Sequence, residues 1–145
     1  MTPFAILRAD HDRVRALIDR FEELGPRSHR DKRMLFDEIR GEIEAHQRLE
    51  EEVLYPAARE AGIESAAGES HRIVERLLAE LQGLGVGNRR FDVVFAVLRE
   101  NVEQHIREEE RDVLGDLEGK LTTDRRETLR HAIERRHESL HSAAG

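Results

Sequence analysis

The chain has 145 residues, 38% of them charged, and its 31 acidic side chains outnumber 24 lysines and arginines to give a formal net charge of −7. Because it contains no cysteine, disulfide frameworks, thiolate metal sites and cysteine nucleophiles are excluded. The charge pattern argues against nucleic-acid binding, the apolar runs are too short for a membrane span, and no signal peptide is expected. We therefore expect one cytoplasmic domain that binds neither nucleic acid nor membrane. Its eight histidines need an explanation.

Turn residues divide the chain into five predicted helices, because the stretches between them are rich in Leu, Arg, Glu and Ala. The predicted helices span about 3–24, 29–60, 67–83, 89–118 and 124–141. Thr2 and Ser28 are suitable N-cap residues for the first two. Short loops between long helices favour antiparallel neighbours. The predicted fold is all-α: an up-down-up-down four-helix bundle over 3–118 with a short extra C-terminal helix, together one domain over 1–145.

Apolar residues recur every three or four positions along the first four helices, as expected for helices that face a common core. These stripes have gaps, and each gap is filled by a polar residue. In the first helix, for example, the stripe passes from Leu7 to Val14 and the missing position is a histidine. The interrupting residues are His11, His46, Glu50, His71, His105 and Glu109.

The same residues form an internal repeat. His11 and His46 are 35 residues apart, His71 and His105 are 34 apart, and the second histidine of each pair begins a His-x-x-x-Glu motif. At a rise of about 1.5 Å per residue, all four histidines lie roughly 18–26 Å from the same end of the predicted bundle. The glutamates lie one turn further on, on the same helix faces. We therefore expect the six side chains to meet in one layer of the core.

Metal binding explains this layer better than a metal-free core does. Two unpaired buried carboxylates cost several kcal/mol per ion, and protonated histidines would only offset that cost, whereas divalent cations neutralise the carboxylates and accept neutral imidazoles. The nitrogen and oxygen donors suit iron, manganese or zinc, and six ligands are too many for one tetrahedral zinc. Two ions bridged by the two carboxylates fit the count, which favours iron. A metal-free structural bundle is the alternative.

The ordered motif resembles the signature of the hemerythrin-like, or HHE cation-binding, domain family over about residues 3–118. The resemblance is carried by His11, by His46 with Glu50, by His71 and by His105 with Glu109, and the segment 50–56 is also typical. It implies a four-helix bundle that holds two Fe ions bridged by carboxylates and an oxo or hydroxo group. Members of the family bind O2, respond to oxygen, nitric oxide or iron, or decompose peroxide.

Three further residues are candidates near such a centre. The oxygen carriers of the family have a fifth histidine where this chain has Glu75, so Glu75 is either an additional ligand or a surface partner of Arg72 or Arg76. Glu110 follows Glu109 and competes with it as the carboxylate ligand. Tyr55 is a hydrogen-bond donor beside the metals, a phenolate ligand, or a half-buried core tyrosine.

The resemblance and the missing fifth histidine favour peroxide decomposition, as in a response to oxidative stress, with the metal centre itself as the reactive group. The alternative is a non-enzymatic module that binds, senses or stores O2, NO or iron. The expected partner is a small oxidant, and the protein is expected to be a monomer or a homodimer. The remaining histidines are predicted to be solvated or, on the last helix, to be surface residues or oligomer contacts: His29, His131, His137 and His141.

Overall fold

The computed structural model describes residues 3–25, 28–65 and 67–144, with side chains up to 142, and these residues are helical apart from short connections. The α-helices are α1 (Ala5–Glu23), α2 (His29–Leu49), α3 (Tyr55–Glu60), α4 (Ala67–Leu84), α5 (Arg89–Glu109), α6 (Gly115–Lys120) and α7 (Thr123–Ala144). A five-residue π-helical turn joins α2 to α3 over Glu50–Leu54, and a second joins α5 to α6 over Glu110–Leu114. The predicted all-α bundle with an additional C-terminal helix is confirmed.

The helix ends agree with the predicted ones to within a few residues. Helix α4 runs to Leu84, one residue beyond the predicted end, and Gly85 follows with a φ of 77°, a conformation that favours glycine. Ser28 occupies the predicted N-cap position of α2, but its side chain makes no capping hydrogen bond there, so the predicted side-chain cap is wrong. Thr2 lies outside the described residues.

Two apolar clusters fill the bundle, one towards each end. The first contains Phe21, Phe36, Phe91 and Phe95, with Phe21 and Phe95 stacked at 4.1 Å between ring centroids. The second is built around the following buried residues: Phe4, Leu7, Leu49, Leu54, Val113, Leu114 and Leu117. The polar layer lies between the two clusters, so its side chains are walled off from solvent at both ends.

Helix α7 packs against the second cluster, although it is rich in charged side chains. Leu129, Ile133 and Leu140 are buried there, and burying each such side chain is worth about 1.5–3 kcal/mol. The most extensive contacts of α7 are with α2 and with the first π-helical turn. None of the helices in the described parts of the chain is both long and apolar enough to cross a membrane.

Each π-helical turn stands directly at a His-x-x-x-Glu motif. The first begins at Glu50, and the second begins at Glu110, one residue after Glu109. A π turn closes a hydrogen bond from residue i to residue i+5, and such turns occur frequently at functional sites. The Tyr55 N–H accordingly donates to the Glu50 carbonyl oxygen. This wider turn returns Tyr55 to nearly the same helix face as Glu50, where a regular α-helix would rotate it away.

Candidate metal centre

Six polar side chains from α1, α2, α4, α5 and the first π turn meet in the layer between the two apolar clusters. All are buried, and the side chains of Glu50 and Glu109 are fully enclosed, at 0% exposure. The six residues are those expected to converge: His11, His46, Glu50, His71, His105 and Glu109. The repeat and the helical rise therefore predicted their proximity correctly.

Each glutamate lies between two histidine pairs. One Glu50 oxygen, Oε2, is 3.1 Å from His46 Nε2, whereas Oε1 is 3.0 Å from His71 Nε2. Glu109 repeats the arrangement, with Oε1 3.2 Å from His11 Nε2 and Oε2 3.0 Å from His105 Nε2. The donor atoms thus form two groups of four, each within 4.8 Å, which share Glu50 and Glu109. One group adds His11 and His46, and the other adds His71 and His105.

Outer carboxylates orient three of the four imidazoles. The Nδ1–H of His46 donates to Asp10 at 3.1 Å, and that of His71 donates to Glu51 at 3.0 Å. His11 Nδ1 is 3.5 Å from Glu110. With its proton on Nδ1, a neutral imidazole directs an Nε2 lone pair inwards, which is the arrangement typical of metal-bound histidine. Asp10 and Glu51 were not predicted as part of the site.

The imidazole Nε2 and carboxylate oxygen atoms that face the centre of the layer have too few protons to hydrogen-bond with one another. Among the described residues, Glu50 Oε2, Glu109 Oε1 and His105 Nε2 are buried without a hydrogen-bond partner. His11 Nε2 and His46 Nε2 face each other at 3.0 Å. Lone pairs in such contact require cations between them, because an unpaired buried acceptor costs about 1–3 kcal/mol. The donor set therefore fits one or two metal ions of borderline hardness.

In the metal-free chain, protons replace the cations. Burial opposes the charge on His105, but the carboxylates of Glu109 and Glu50 outweigh it and raise its pKa to about 9. Burial likewise opposes charge on His46, yet Glu50 and Asp10 hold its pKa well above the usual 6.5. The pKa of Glu50 is well below its usual value, because His46, Glu109 and His105 outweigh the effect of burial. Metal ions must displace protons to enter this site.

Tyr55 lies against the two shared glutamates on the side of the layer that holds His71. Its hydroxyl oxygen lies 2.7 Å from Glu109 Oε2, 3.0 Å from His71 Nε2 and 3.3 Å from Glu50 Oε1. Its one proton faces three acceptors, which again marks a site short of positive charge. Burial and the two glutamates raise the pKa of Tyr55. The residue after the second π turn is Gly115, so the other donor group has no matching phenol.

Comparisons with known proteins identify the family. The family model named hemerythrin HHE cation binding domain matches residues 2–117. The chain belongs to this family. A similar solved structure is that of a hemerythrin HHE cation-binding domain-containing protein from Mycobacterium kansasii, with a TM-score of 0.87 and 26% identity over 99% of this chain and 90% of that one. A search of curated proteins gave no significant match.

Two further candidate ligands of this HHE domain lie at its edge. Glu75 is exposed and borders an open cavity of about 750 Å³ that Tyr55 and Glu51 also line. Arg72 pairs with Glu69 at 2.7 Å. Glu110 contacts the outer nitrogen of His11, whereas the inward Nε2 of that histidine faces Glu109.

The structure corrects the interpretation of α7, which lies beyond the residues matched by the family model. His137 and His141 were expected on the surface or in oligomer contacts, but both are half-buried against the bundle. His137 Nε2 lies 2.9 Å from Asp10, and His141 Nε2 lies 3.4 Å from Glu42. The docking of α7 brings them there, and their spacing of four residues on one helix face was the available signal. His29 and His131 are exposed.

Removing an outer carboxylate is expected to weaken metal binding without abolishing it. Glu51→Ala leaves His71 in place but frees its ring, which typically costs about 10–100-fold in metal affinity. Competition with a chelator of known affinity measures the change. Glu44→Ala is the matched control, because Glu44 is exposed on the preceding helix, where it pairs with Arg40 at 3.7 Å. Equal affinities in the two variants would contradict the orienting role of Glu51.

Proposed function

We propose that this HHE domain holds two iron ions and decomposes peroxide. The observation that carries the proposal is the pair of four-residue donor groups that share Glu50 and Glu109. Each shared carboxylate has one oxygen near each histidine pair, as a bridge between two ions requires. The six proposed ligands are His11, His46, Glu50, His71, His105 and Glu109.

Iron suits the proposed centre because the donors are imidazole nitrogen and carboxylate oxygen, with no thiolate in the chain. A pair of iron ions supplies reversible one-electron steps and Lewis acidity. In peroxide decomposition, one H2O2 is oxidised to O2 while a second is reduced to two molecules of water, so no other reductant is needed. The protein's part is to keep the donors buried and oriented.

Access for a polar oxidant is supported by the cavity beside Tyr55. This cavity of about 750 Å³ is open to solvent and is lined by Tyr55, Glu51, Arg59 and Arg72 among others. The phenol stands between it and the buried glutamates. A peroxide molecule entering here meets a hydroxyl group that can donate a hydrogen bond or pass on a proton. Glu75, at the position of the carriers' fifth histidine, is exposed in the same cavity, which argues against reversible O2 carriage.

A second candidate function is non-enzymatic binding of O2 or NO for sensing or storage. It is supported by a small cavity of about 30 Å³ beside His11, His46 and Glu50. The remaining walls are mainly apolar side chains: Val14, Ile43, Val74, Val102 and Ile106. That volume exceeds the roughly 10–15 Å³ needed to hold a water, and the apolar walls suit a diatomic gas. Iron storage in the sense of a large mineral core does not fit so small a space.

One experiment separates these functions. The chain is loaded anaerobically with ferrous iron, the iron per chain is measured, and peroxide is added while O2 evolution and the visible spectrum are followed. Sustained turnover with about two irons per chain supports the enzyme. A stable spectrum on exposure to O2 or NO without turnover supports the binding module. If His46→Ala retains as much iron as wild type, the proposed centre is wrong; His131→Ala, which alters an exposed histidine, is the control.

Tyr55 gives a prediction that distinguishes its two possible roles in the iron-loaded protein. If the phenol is a ligand as phenolate, Tyr55→Phe loses a visible absorption band from phenolate-to-iron charge transfer. If it only donates a hydrogen bond to Glu109, the spectrum is nearly unchanged and peroxide turnover falls by about 100-fold, the low end for a lost proton donor. Unchanged spectrum and unchanged turnover would contradict both roles. Iron content is measured in parallel.

A further inference from the structure

We propose a second cation site, formed by Asp10, His137 and His141 where α7 packs against the bundle. One donor atom from each residue lies within 4.8 Å of the others. The set combines two imidazoles with one carboxylate and is separate from the six buried residues. It goes beyond the proposed iron chemistry and does not depend on it.

The two histidines are arranged as a chelating pair on α7. They are four residues apart, so they project from the same helix face, and their ring centroids are 4.0 Å apart. The Nδ1–H of His141 donates to the His137 carbonyl oxygen at 2.8 Å. This bond fixes the tautomer and leaves the lone pair of His141 Nε2 free for a cation.

The carboxylate comes from a different helix. Asp10 is buried on α1, and its Oδ1 lies 2.9 Å from His137 Nε2. Glu42 on α2 supplies a further oxygen 3.4 Å from His141 Nε2, while its other oxygen pairs with Arg13 at 3.2 Å. A cation here would therefore meet two carboxylates and two imidazoles, with one arginine at the edge.

The ligand class indicates a borderline divalent cation, Zn²⁺ or Fe²⁺. Two imidazoles with one carboxylate are common to catalytic zinc sites and to mononuclear iron sites, both of which leave open positions for water. The side chains of His137 and His141 are 28% and 30% exposed. A cation can therefore enter from solvent while the bundle stays folded, in contrast to the enclosed centre.

A purely structural clasp does not explain the whole cluster. Leu129, Ile133 and Leu140 already anchor α7 on the second apolar cluster. Ion pairs of His137 with Asp10 and of His141 with Glu42 would add to that anchoring, but they require both imidazoles to be charged, and two imidazolium rings stacked at 4.0 Å repel each other. A cation at the cluster uses all three residues.

Asp10 links the second site to the buried centre. Its Oδ2 accepts from His46 Nδ1–H at 3.1 Å, and its Oδ1 faces His137. One carboxylate thus contacts a proposed iron ligand and a proposed ligand of the second cation. A cation bound by Asp10, His137 and His141 would withdraw negative charge from the Asp10 carboxylate, which orients His46.

Zn²⁺ binding to the full chain tests the second site. The iron-loaded protein is dialysed against Zn²⁺, and zinc and iron per chain are measured for wild type, His141→Ala and His131→Ala. The control residue is exposed on the same helix, 3.8 Å from Glu127. We expect wild type and His131→Ala to retain about one zinc more than His141→Ala, with equal iron. Equal zinc in His141→Ala and His131→Ala overturns the proposal.

The outcome is separable from that of the proposed function. If the chain takes up no iron, the same zinc difference is measured on the iron-free protein, where the buried cluster contributes equally to both variants. Anomalous diffraction at the zinc edge from wild-type crystals soaked in Zn²⁺ requires no variant to fold. A peak among Asp10, His137 and His141 supports the site, and zinc elsewhere without a peak there overturns it.

Discussion

Replacing Glu50 by glutamine is expected to remove both metal ions rather than one. The two oxygens of Glu50 face opposite histidine pairs, at 3.1 Å from His46 and 3.0 Å from His71. An amide nitrogen has no lone pair to offer a cation, so one of the two positions loses its ligand outright and the other loses a negative charge. We expect affinity at both positions to fall by more than about 100-fold, beyond the cost of losing an outer partner.

Iron per chain after anaerobic loading and gel filtration measures the effect of Glu50→Gln. Glu44→Gln carries the same chemical change at an exposed position on the same helical segment and should retain full loading. Circular dichroism of both variants checks that the bundle has folded. Loss of a single ion would show that Glu50 serves one donor group only, and full retention would place the metal elsewhere.

The fold was predictable because long, regularly patterned helices leave few alternatives. The apolar stripes, the turn residues and the short loops together predicted the helices, and the family match and solved relative agree with the bundle. The six-residue layer was predictable for the same reason. A histidine or glutamate in an apolar stripe must point inwards, and counting the helical rise gives its height in the bundle.

The π-helical turns were not predicted, because propensity and periodicity do not distinguish a π turn from an α turn. The sequence reflects only their offset: the second copy of the repeat has one extra residue just after Glu109, and its π turn begins one residue later relative to the motif than the first. The extra residue lies at the start of the second π turn. The first π turn determines which helix face Tyr55 occupies. The sequence therefore did not decide between a hydrogen-bond donor, a phenolate ligand and a core tyrosine.

The surroundings of the layer depended on tertiary contacts that sequence spacing does not encode. Asp10 lies three residues after Leu7 and four before Val14, so its burial was readable from the apolar stripe. Its contact with His137 was not, because 127 residues separate them and the docking of α7 decides it. The buried Leu129, Ile133 and Leu140 recur at spacings of four and seven, a weak stripe within a strongly charged helix.

The metal-free chain is expected to lose stability as pH rises from 6.5 to 9. Folding raises the pKa of His105 from 6.5 to about 9, so the folded state holds this proton more tightly than the unfolded state. The resulting stabilisation is complete below pH 6.5 and disappears as pH approaches 9. This rise in the pKa of His105 from 6.5 to about 9 corresponds to about 3 kcal/mol, or roughly 10 °C in melting temperature for a domain of this size.

His46 acts in the same direction, whereas Glu50 limits stability at the acid end. Folding lowers the pKa of Glu50, whereas it raises that of His46. The stabilisation from Glu50 is therefore present above about pH 4.5 and is lost as pH falls through the lower pKa of the folded state. The metal-free protein should therefore be most stable between about pH 4.5 and 6.5. Urea unfolding of chelator-treated protein at pH 6 and 9 measures the difference.

Variants and metal loading give this pH profile its controls. His105→Gln should flatten the loss of stability between pH 6.5 and 9, whereas His131→Ala, at an exposed position, should leave it unchanged.

Metal ions displace the protons of His46 and His105, so affinity for metal should rise by about tenfold per pH unit for each displaced proton until pH 9. If the metal-free chain keeps or gains stability between pH 6.5 and 9, then the carboxylates and the protonated imidazoles of the six-residue layer do not pair. The opposite slopes of metal-free stability and metal affinity thus follow from one cause, competition between protons and cations for the same inward-facing atoms.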